Sequence, residues 1–190
     1  MYRILVVCTG NICRSPMGEI VLRDRLAQAG IDDVEVRSAG VSTEETGNPI
    51  DRRAQRVLLE KGHTLPSAHH AHRATDEELR DADLILAMTT GHAHSLRAML
   101  NRLGESDAKL HLWREFDGTT EIAAGGVFGE GGALTEDLAK RSRSMNFYRS
   151  SGEYDVPDPW YGDDEGFYET YDVVDRGARG IVTYVEDLRS

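Results

Sequence analysis

The residues best suited to chemistry lie near the start of the chain, in the run Cys-Thr-Gly-Asn-Ile-Cys-Arg-Ser-Pro at positions 8–16. A continuous apolar run at residues 2–7 precedes it, and apolar residues at helical spacing follow it. This pattern predicts a buried strand, a tight loop and a helix. Such a loop can direct its backbone N–H groups at one centre, where the helix N-terminus adds positive potential. The run is therefore predicted to bind a tetrahedral oxyanion.

Two side chains in this loop predict nucleophilic chemistry. Arg14 can bind two oxygens of the anion with its planar guanidinium. Cys8 lies in the same positive potential, which favours its nucleophilic thiolate, and Ser15 can donate a hydroxyl hydrogen bond to that sulphur. In the alternative interpretation, Cys8 only fills core space and Arg14 is a solvated helix residue. That alternative leaves Gly10 and Asn11 without a common explanation.

A candidate general acid lies near the other end of the chain, in the run Asp-Val-Pro-Asp-Pro-Trp-Tyr-Gly at positions 155–162. Displacement of a phenolate or alkoxide is slow unless an acid protonates the leaving oxygen. Asp158 lies between two prolines that restrict the backbone, and Trp160 and Tyr161 follow as candidate walls of a substrate cleft. A capping or turn aspartate is the alternative, but together with the Cys8 loop we interpret Asp158 as the acid.

The elements that must position these two runs follow an α/β pattern. Further strands are predicted at residues 34–37, 82–88 and 109–113, and helices at residues 51–61, 92–103 and 167–188. Strands that alternate with helices indicate a three-layer α/β domain, in which a parallel sheet has helices on both faces.

One stretch, at about residues 115–154, lacks this periodicity. It contains a glycine-rich run at residues 123–132 and a modest helical signal at residues 135–143. Stretches of this length inside a compact domain are usually functional or mobile, and the glycines favour mobility. We expect one domain over residues 1–190, with an insertion that serves as a lid, as a docking element or as a disordered segment.

The composition restricts the partners and the location. With 33 acidic and 22 basic side chains the net charge is −11, which argues against nucleic acid or an anionic membrane as a partner. The apolar run at residues 4–7 is too short to cross a bilayer, and the segment before Cys8 is too short for a signal peptide. We therefore expect a cytoplasmic protein without membrane insertion. Its two cysteines form no disulfide framework, and no second pair suggests a zinc site.

Both runs resemble the catalytic motifs of low molecular weight protein-tyrosine phosphatases. CTGNICRSP matches the phosphate loop of that family, and DPWYG at residues 158–162 is similar to its acid loop, usually DPYYG. Residues 38–40, 47–49, 82–88 and the final helix are also similar. The resemblance implies a four-stranded parallel sheet flanked by helices, with the phosphate-binding loop after the first strand. It also implies a reaction that uses no metal or other cofactor.

The resemblance further implies a two-step reaction on a tyrosine-phosphorylated protein. Cys8 would attack phosphorus to form a phosphocysteine, Arg14 would hold the equatorial oxygens, and Asp158 would protonate the leaving phenolate and then assist water. The phosphate-binding and loop-supporting residues would be Thr9, Gly10, Asn11, Ile12, Cys13, Ser15, Ser38 and His69. By the same resemblance, Cys13 can form a reversible disulfide with Cys8 that protects the nucleophile, and a small buried thiol is the alternative.

Other functions stay open at this point. Arsenate reductases share the scaffold, but many use further cysteines, and none follows Cys13, so such a reductase would need a small external thiol. A weak phosphotyrosine-binding module and a thiol redox sensor are further alternatives. Ile12 favours a tyrosine phosphatase, because arginine-phosphate members tend to have threonine at that position. Trp160 and Tyr161 also suit a flat aromatic ring.

The wall of the cleft opposite Trp160 and Tyr161 departs from the family pattern. Many relatives have an aromatic residue in the loop after Ser-Ala-Gly, where this chain has the polar run at residues 42–46. We therefore expect a polar wall on that side. The physiological substrate, a partner kinase and the oligomeric state do not follow from the sequence.

Overall fold

The computed structural model describes residues 1–136 and 152–190, in which strands and helices alternate along the chain. The elements are β1 (Tyr2–Cys8), α1 (Arg14–Gln28), β2 (Val34–Gly40), α2 (Arg52–Glu60), α3 (Asp76–Asp81), β3 (Leu84–Ala87), α4 (Thr90–Leu103), β4 (Leu110–Leu112) and α5 (Glu165–Asp187). The predicted strands and helices all occur, with ends that differ by a few residues. Helix α3 was not expected; its start is fixed by a capping box between Thr75 and Glu78.

The four strands form one parallel sheet in the order β2-β1-β3-β4. Val7 of β1 lies opposite Ala39 of β2 and Ala87 of β3, so the strands end close to one another. The carboxyl ends of parallel strands form the edge at which ligands bind in open α/β sheets. Cys8 therefore lies at that edge, and the expected fold class is confirmed.

Alternation along β1 divides the core between the two faces of the sheet. Ile4 and Val6 pack in a cluster with residues of α1, α2 and α5. Leu5 and Val7 point to the other face and pack in a cluster with residues of α3 and α4. Burial on both faces explains why β1 is a continuous apolar run. No helix in residues 1–136 and 152–190 is long and apolar enough to cross a membrane.

The last helix, α5, is held against the end of β4 by a buried tryptophan. Trp113 Nε1 donates a hydrogen bond to the carbonyl oxygen of Val174, at 3.2 Å. Gly177 is required at this contact, because a Cβ there would collide with the Trp113 indole. This packing fixes the helix that follows the candidate acid run.

The first part of the aperiodic stretch packs on the sheet. Val127 donates its backbone N–H to the carbonyl oxygen of Leu110 at 2.8 Å, and Phe128 and Leu134 are buried with it. Gly126 has a φ of 84°, and a Cβ there would lie 2.6 Å from the Asp107 carbonyl oxygen. In this part the glycines permit close backbone packing, where the sequence had favoured mobility. Most of the helical signal at residues 135–143 lies outside the described residues.

Candidate active site

The loop after β1 is built around one strained asparagine. Asn11 has a φ of 60°, in the left-handed region, and in the described parts of the chain it is the one non-glycine residue with a positive φ. Asparagine tolerates this conformation better than most residues. No described residue accepts a hydrogen bond from the backbone N–H groups of residues 10–14. These N–H groups, at the start of α1, are therefore available to an anion.

A buried network holds Asn11 in this conformation. Its Nδ2 donates to Ser15 Oγ at 2.9 Å and to Ser38 Oγ at 3.0 Å. His69 Nε2 donates to the Asn11 carbonyl oxygen at 2.7 Å, and the His72 backbone N–H donates to Asn11 Oδ1 at 3.2 Å. Asn11 is fully buried. The structure thus brings together Asn11, Ser15, Ser38 and His69, and their role in supporting the loop stays a prediction.

The candidate nucleophile has one close polar neighbour. Cys8 Sγ lies 3.1 Å from Ser15 Oγ, which also lies 3.2 Å from the carbonyl oxygen of Ala39. The single hydroxyl proton of Ser15 can be donated to only one of these acceptors at a time. When Cys8 is a thiolate the proton can turn to the sulphur, and when Cys8 is a thiol it can turn to Ala39. Ser15 is therefore placed to stabilise the thiolate.

Thr9 and Gly10 form the rim of the loop. Thr9 Oγ1 lies 2.7 Å from Nε2 of His92, and its carbonyl oxygen packs against Gly40, where a Cβ would collide with it. Glu45 lies over Gly10, because a Cβ on Gly10 would be 2.8 Å from the Glu45 Cγ. Close packing therefore surrounds the loop on its outer side as well.

The second cysteine of the loop, Cys13, is a buried free thiol, as is Cys8. Burial raises the pKa of the Cys13 thiol well above its ordinary value, and the nearby carboxylate of Asp51 acts in the same direction. At neutral pH Cys13 is therefore protonated, and it needs activation before it can take part in exchange. A protective disulfide between the two cysteines stays a prediction.

Arg14 connects the phosphate loop to the candidate acid. Its Nη2 lies 3.4 Å from Asp158 Oδ2, and its Nη1 donates to the carbonyl oxygen of Val156 at 3.2 Å. The Arg14 side chain is 7% exposed and the Asp158 side chain is 42% exposed. The guanidinium of Arg14 is thus held by the buried backbone of Val156, while the carboxylate of Asp158 is accessible to solvent.

Hydrogen bonds to the sheet edge anchor the base of the acid run. Val156 donates its N–H to the Met88 carbonyl oxygen at 2.8 Å, and Asp155 Oδ1 accepts from the Thr90 N–H at 2.8 Å. Further along, Asp158 Oδ1 accepts from the Trp160 N–H at 3.0 Å. The turn at Asp158 is therefore closed on itself and attached at the carboxyl end of β3.

The two runs enclose a cleft of about 220 Å³. Its lining residues are Cys8, Thr9, Gly10, Ile12, Cys13, Arg14, Glu44, Glu45, Asp158, Trp160 and Tyr161. Trp160 is 42% exposed and Tyr161 is 89% exposed, so one wall is aromatic and open. Glu44 and Glu45 line the other side, in the polar run where relatives were expected to differ.

Three residues contribute to the site without a motif that predicts them. Glu19 Oε2 accepts from Ser38 Oγ at 2.5 Å and so extends the network beneath the loop. Arg53 stacks on Trp160, with 5.3 Å between the guanidinium carbon and the indole centroid. His92 contacts Thr9, as described above. Only the position of Glu19, one turn after Ser15 on the predicted helix, was a signal that the sequence offered.

His92 is a neutral histidine under the rim of the loop. Burial, with a smaller effect of the Arg14 charge, lowers its pKa to about 3. Its Nδ1 has no hydrogen-bond partner in residues 1–136 and 152–190. Within the same residues, no cluster of three or more His, Cys, Asp or Glu side chains is arranged to hold a metal ion.

Comparisons with known proteins identify the family of the chain. The model of the family "Low molecular weight phosphotyrosine protein phosphatase" matches residues 3–128. The low molecular weight protein-tyrosine-phosphatase of Streptomyces coelicolor is 32% identical over 187 residues, which cover 98% of this chain and 94% of that protein.

Solved structures give the same result for the fold. YfkJ from Bacillus subtilis superposes with a TM-score of 0.74 at 24% identity and covers 100% of this chain and 98% of its own. The YwlE arginine phosphatase from Geobacillus stearothermophilus superposes with a TM-score of 0.70 at 27% identity, covering 100% of this chain and 96% of its own.

Proposed function

The chain belongs to the low molecular weight phosphotyrosine protein phosphatase family, and we propose that it hydrolyses phosphotyrosine in proteins through a phosphocysteine intermediate. The observation that carries the proposal is the convergence of Cys8, Arg14 and Asp158 on one cleft. Cys8 and Asp158 come from opposite ends of the chain, and only folding brings them together. A nucleophile, an anion-binding loop and an acid in one cleft are the three groups that ester displacement needs.

In the first step the Cys8 thiolate attacks phosphorus. A sulphur–phosphorus bond forms while the bond between phosphorus and the phenolic oxygen breaks. The free N–H groups of residues 10–14 and the guanidinium of Arg14 bind the phosphoryl oxygens, where charge accumulates in the transition state. Asp158 donates its proton to the leaving oxygen, so the product leaves as neutral tyrosine.

In the second step water attacks the phosphocysteine. Asp158, now a carboxylate, accepts a proton from that water, and the sulphur–phosphorus bond breaks to release phosphate and the Cys8 thiolate. Ser15 Oγ, 3.1 Å from the sulphur, stabilises the thiolate as it leaves. Asp158 thus returns to its protonated state, and the cycle closes without any metal ion.

The shape of the cleft supports phosphotyrosine over phosphoserine and phosphoarginine. The aromatic wall of Trp160 and Tyr161 offers ring faces to a planar side chain. Ile12, which lines the cleft, offers an apolar side chain and no hydroxyl to bind a guanidinium. The similar structure that is named an arginine phosphatase makes phosphoarginine the competing substrate to test.

The test is a substrate panel with the purified protein in the presence of a chelator. One peptide is prepared with phosphotyrosine, phosphoserine or phosphoarginine at the same position, and arsenate with a small thiol is a fourth arm. We expect turnover of the phosphotyrosine peptide to exceed that of the others by at least about tenfold. Faster turnover of phosphoarginine, or of arsenate, would replace the proposed substrate class.

A further inference from the structure

We propose that Arg53 is a positioning residue that holds the indole of Trp160 as a wall of the cleft, and thereby sets the affinity for aromatic phosphoesters. The inference rests on the proposed function, because it concerns the substrate side of the same cleft. Arg53 itself does not line the cleft. It acts through the tryptophan that does.

The guanidinium of Arg53 contacts two aromatic rings. Its carbon is 5.3 Å from the centroid of the Trp160 indole and 4.5 Å from the centroid of the Phe167 ring. Phe167 is fully buried in α5, whereas Trp160 is 42% exposed. Arg53 therefore connects the surface ring of Trp160 to the buried ring of Phe167, which restricts where the indole can lie.

The edge of the same guanidinium is held by a carboxylate. Asp51 accepts hydrogen bonds from Arg53 Nε at 3.2 Å and from Arg53 Nη2 at 3.3 Å. A planar group that contacts two rings and forms two hydrogen bonds to one carboxylate has a defined orientation. A lysine ammonium has no plane and cannot make this arrangement.

Asp51 also connects the assembly to the phosphate loop. Its backbone N–H donates to the carbonyl oxygen of Ile12 at 2.8 Å, and its side chain caps α2 by accepting from the Arg53 N–H at 2.8 Å. A series of contacts therefore connects the phosphate loop to the wall of the cleft, through Ile12, Asp51, Arg53 and Trp160. The backbone N–H of Trp160 donates a hydrogen bond to Asp158 Oδ1, so the same residue is also connected to the candidate acid.

A free indole at this position would lose affinity for the substrate. An exposed side chain without a partner samples several rotamers, and their restriction on binding costs free energy. Arg53 restricts the indole before the substrate arrives. Its removal is expected to raise KM for an aromatic phosphoester, while kcat depends on Cys8, Arg14 and Asp158 and stays within about twofold.

The chain supplies a matched control on the same helix. Arg56 forms an exposed ion pair with Asp164 at 3.2 Å, with side-chain exposures of 58% and 61%. It carries the same charge as Arg53 but has no aromatic ring contact among those found in residues 1–136 and 152–190. Comparison of the single variants Arg53→Met and Arg56→Met separates the loss of a positive charge, which both share, from the loss of the contact with Trp160, which only Arg53→Met causes.

The experiment measures kcat and KM on a phosphotyrosine peptide for wild type, Arg53→Met, Arg53→Lys, Arg56→Met, Trp160→Ala and the double variant Arg53→Met/Trp160→Ala. We expect Arg53→Met to raise KM about fivefold, the scale of a single cation–π contact. Arg53→Lys keeps the charge but loses the planar group that Asp51 and the rings hold. It is expected to raise KM at least about twofold, and it carries the test should Arg53→Met not fold. In the Trp160→Ala background the effect of Arg53→Met is expected to fall below about twofold.

Trp160 fluorescence adds a readout that does not need activity. The only other tryptophan, Trp113, is fully buried, so acrylamide quenching reports mainly on Trp160. We expect stronger quenching in Arg53→Met and no change in Arg56→Met. Equal effects of Arg53→Met with and without Trp160, a wild-type KM in Arg53→Lys, or unchanged quenching would overturn the role of Arg53. An inactive wild type would instead overturn the proposed function itself.

Discussion

The two loops that meet at the cleft differ in how they are held. The phosphate loop at residues 8–15 is buried apart from its rim at Thr9 and Gly10, and its asparagine, serine and arginine side chains form hydrogen bonds to residues outside the loop. The acid run at residues 155–162 is anchored at its base through the fully buried Val156, but Asp158, Trp160 and Tyr161 at its tip are exposed.

This difference follows from what each loop binds. The phosphoryl group is the same in every substrate. Hydrogen-bond donors that are fixed before it binds stabilise the transition state without reorganisation during the reaction. The leaving group must enter and depart, so the acid and the aromatic wall lie on an open tip. Substitutions in the phosphate loop should therefore lower kcat with every substrate or lower the free energy of unfolding. Substitutions at the tip of the acid run should have effects whose size differs from one substrate to another.

Replacement of the nucleophile is expected to have the largest effect. Cys8→Ser leaves the shape of the phosphate loop but replaces a thiolate with a poorly nucleophilic hydroxyl, so we expect hydrolysis to fall by about 10⁴-fold or more. Binding of inorganic phosphate, measured by calorimetry, should persist because the N–H groups and Arg14 remain. Substantial residual turnover would show that the fixed loop does not supply the nucleophile.

Removal of the acid is expected to reveal the nature of the leaving group. Asp158→Ala should lower kcat on a phosphotyrosine peptide by about 10²–10⁴-fold. The loss should be smaller with p-nitrophenyl phosphate, whose phenol leaves more readily without a proton. Steady-state kinetics on both substrates tests this, with the neighbouring Asp163→Ala as control. Equal losses on both substrates would argue against Asp158 as the acid.

Asn11 tests whether the phosphate loop is prearranged. Asn11→Ala removes three side-chain hydrogen bonds, two of them buried, and puts an alanine at a φ of 60°. We therefore expect about 2–4 kcal/mol less free energy of unfolding and at least tenfold lower kcat. Asn11→Gly removes the strain of a positive φ but does not restore the side-chain hydrogen bonds. It should recover stability more than activity in urea unfolding and kinetic assays. Exposed Asn101→Ala is the control, and recovery of both properties in Asn11→Gly would contradict a role for the network.

The smallest expected effect concerns two histidines beside the loop. The pKa of His92 in the folded state is about 3, below its ordinary value of 6.5. The unfolded state therefore binds more protons between these values, and stability falls as pH decreases through that window. We expect His92→Gln to lose about 2 kcal/mol less than wild type between pH 7 and pH 5 in urea unfolding.

His72 is the counterpart with the opposite sign. Its hydrogen bond to Glu78, at 2.8 Å, raises the pKa of His72 above the ordinary value. Its stabilising contribution is full below the unfolded pKa and is lost as pH rises through the folded one. His72→Gln should therefore cost more stability at pH 5 than at pH 7. The same pH dependence in both variants would contradict these assignments.

The fold and the phosphate loop were predictable because their signals are local. The apolar run of β1, the glycine and asparagine after it and the proline at the start of α1 each act on neighbouring residues. Helix α3 was missed although its capping box is also local, since only six residues follow it. The packing of Val127 and Phe128 was not predictable, because a glycine-rich run has no period that indicates which residues it contacts.

By itself, the sequence determined which chemical groups the protein possesses and which of them lie on a turn after a buried strand. A cysteine, an arginine and an aspartate in those two runs predict displacement at phosphorus whatever their distance. Tertiary structure alone decided the 3.4 Å contact between Arg14 and Asp158, the position of His92 under Thr9 and the stack of Arg53 on Trp160. These contacts join residues far apart in the chain, and long-range packing, which leaves no periodic pattern, determines them.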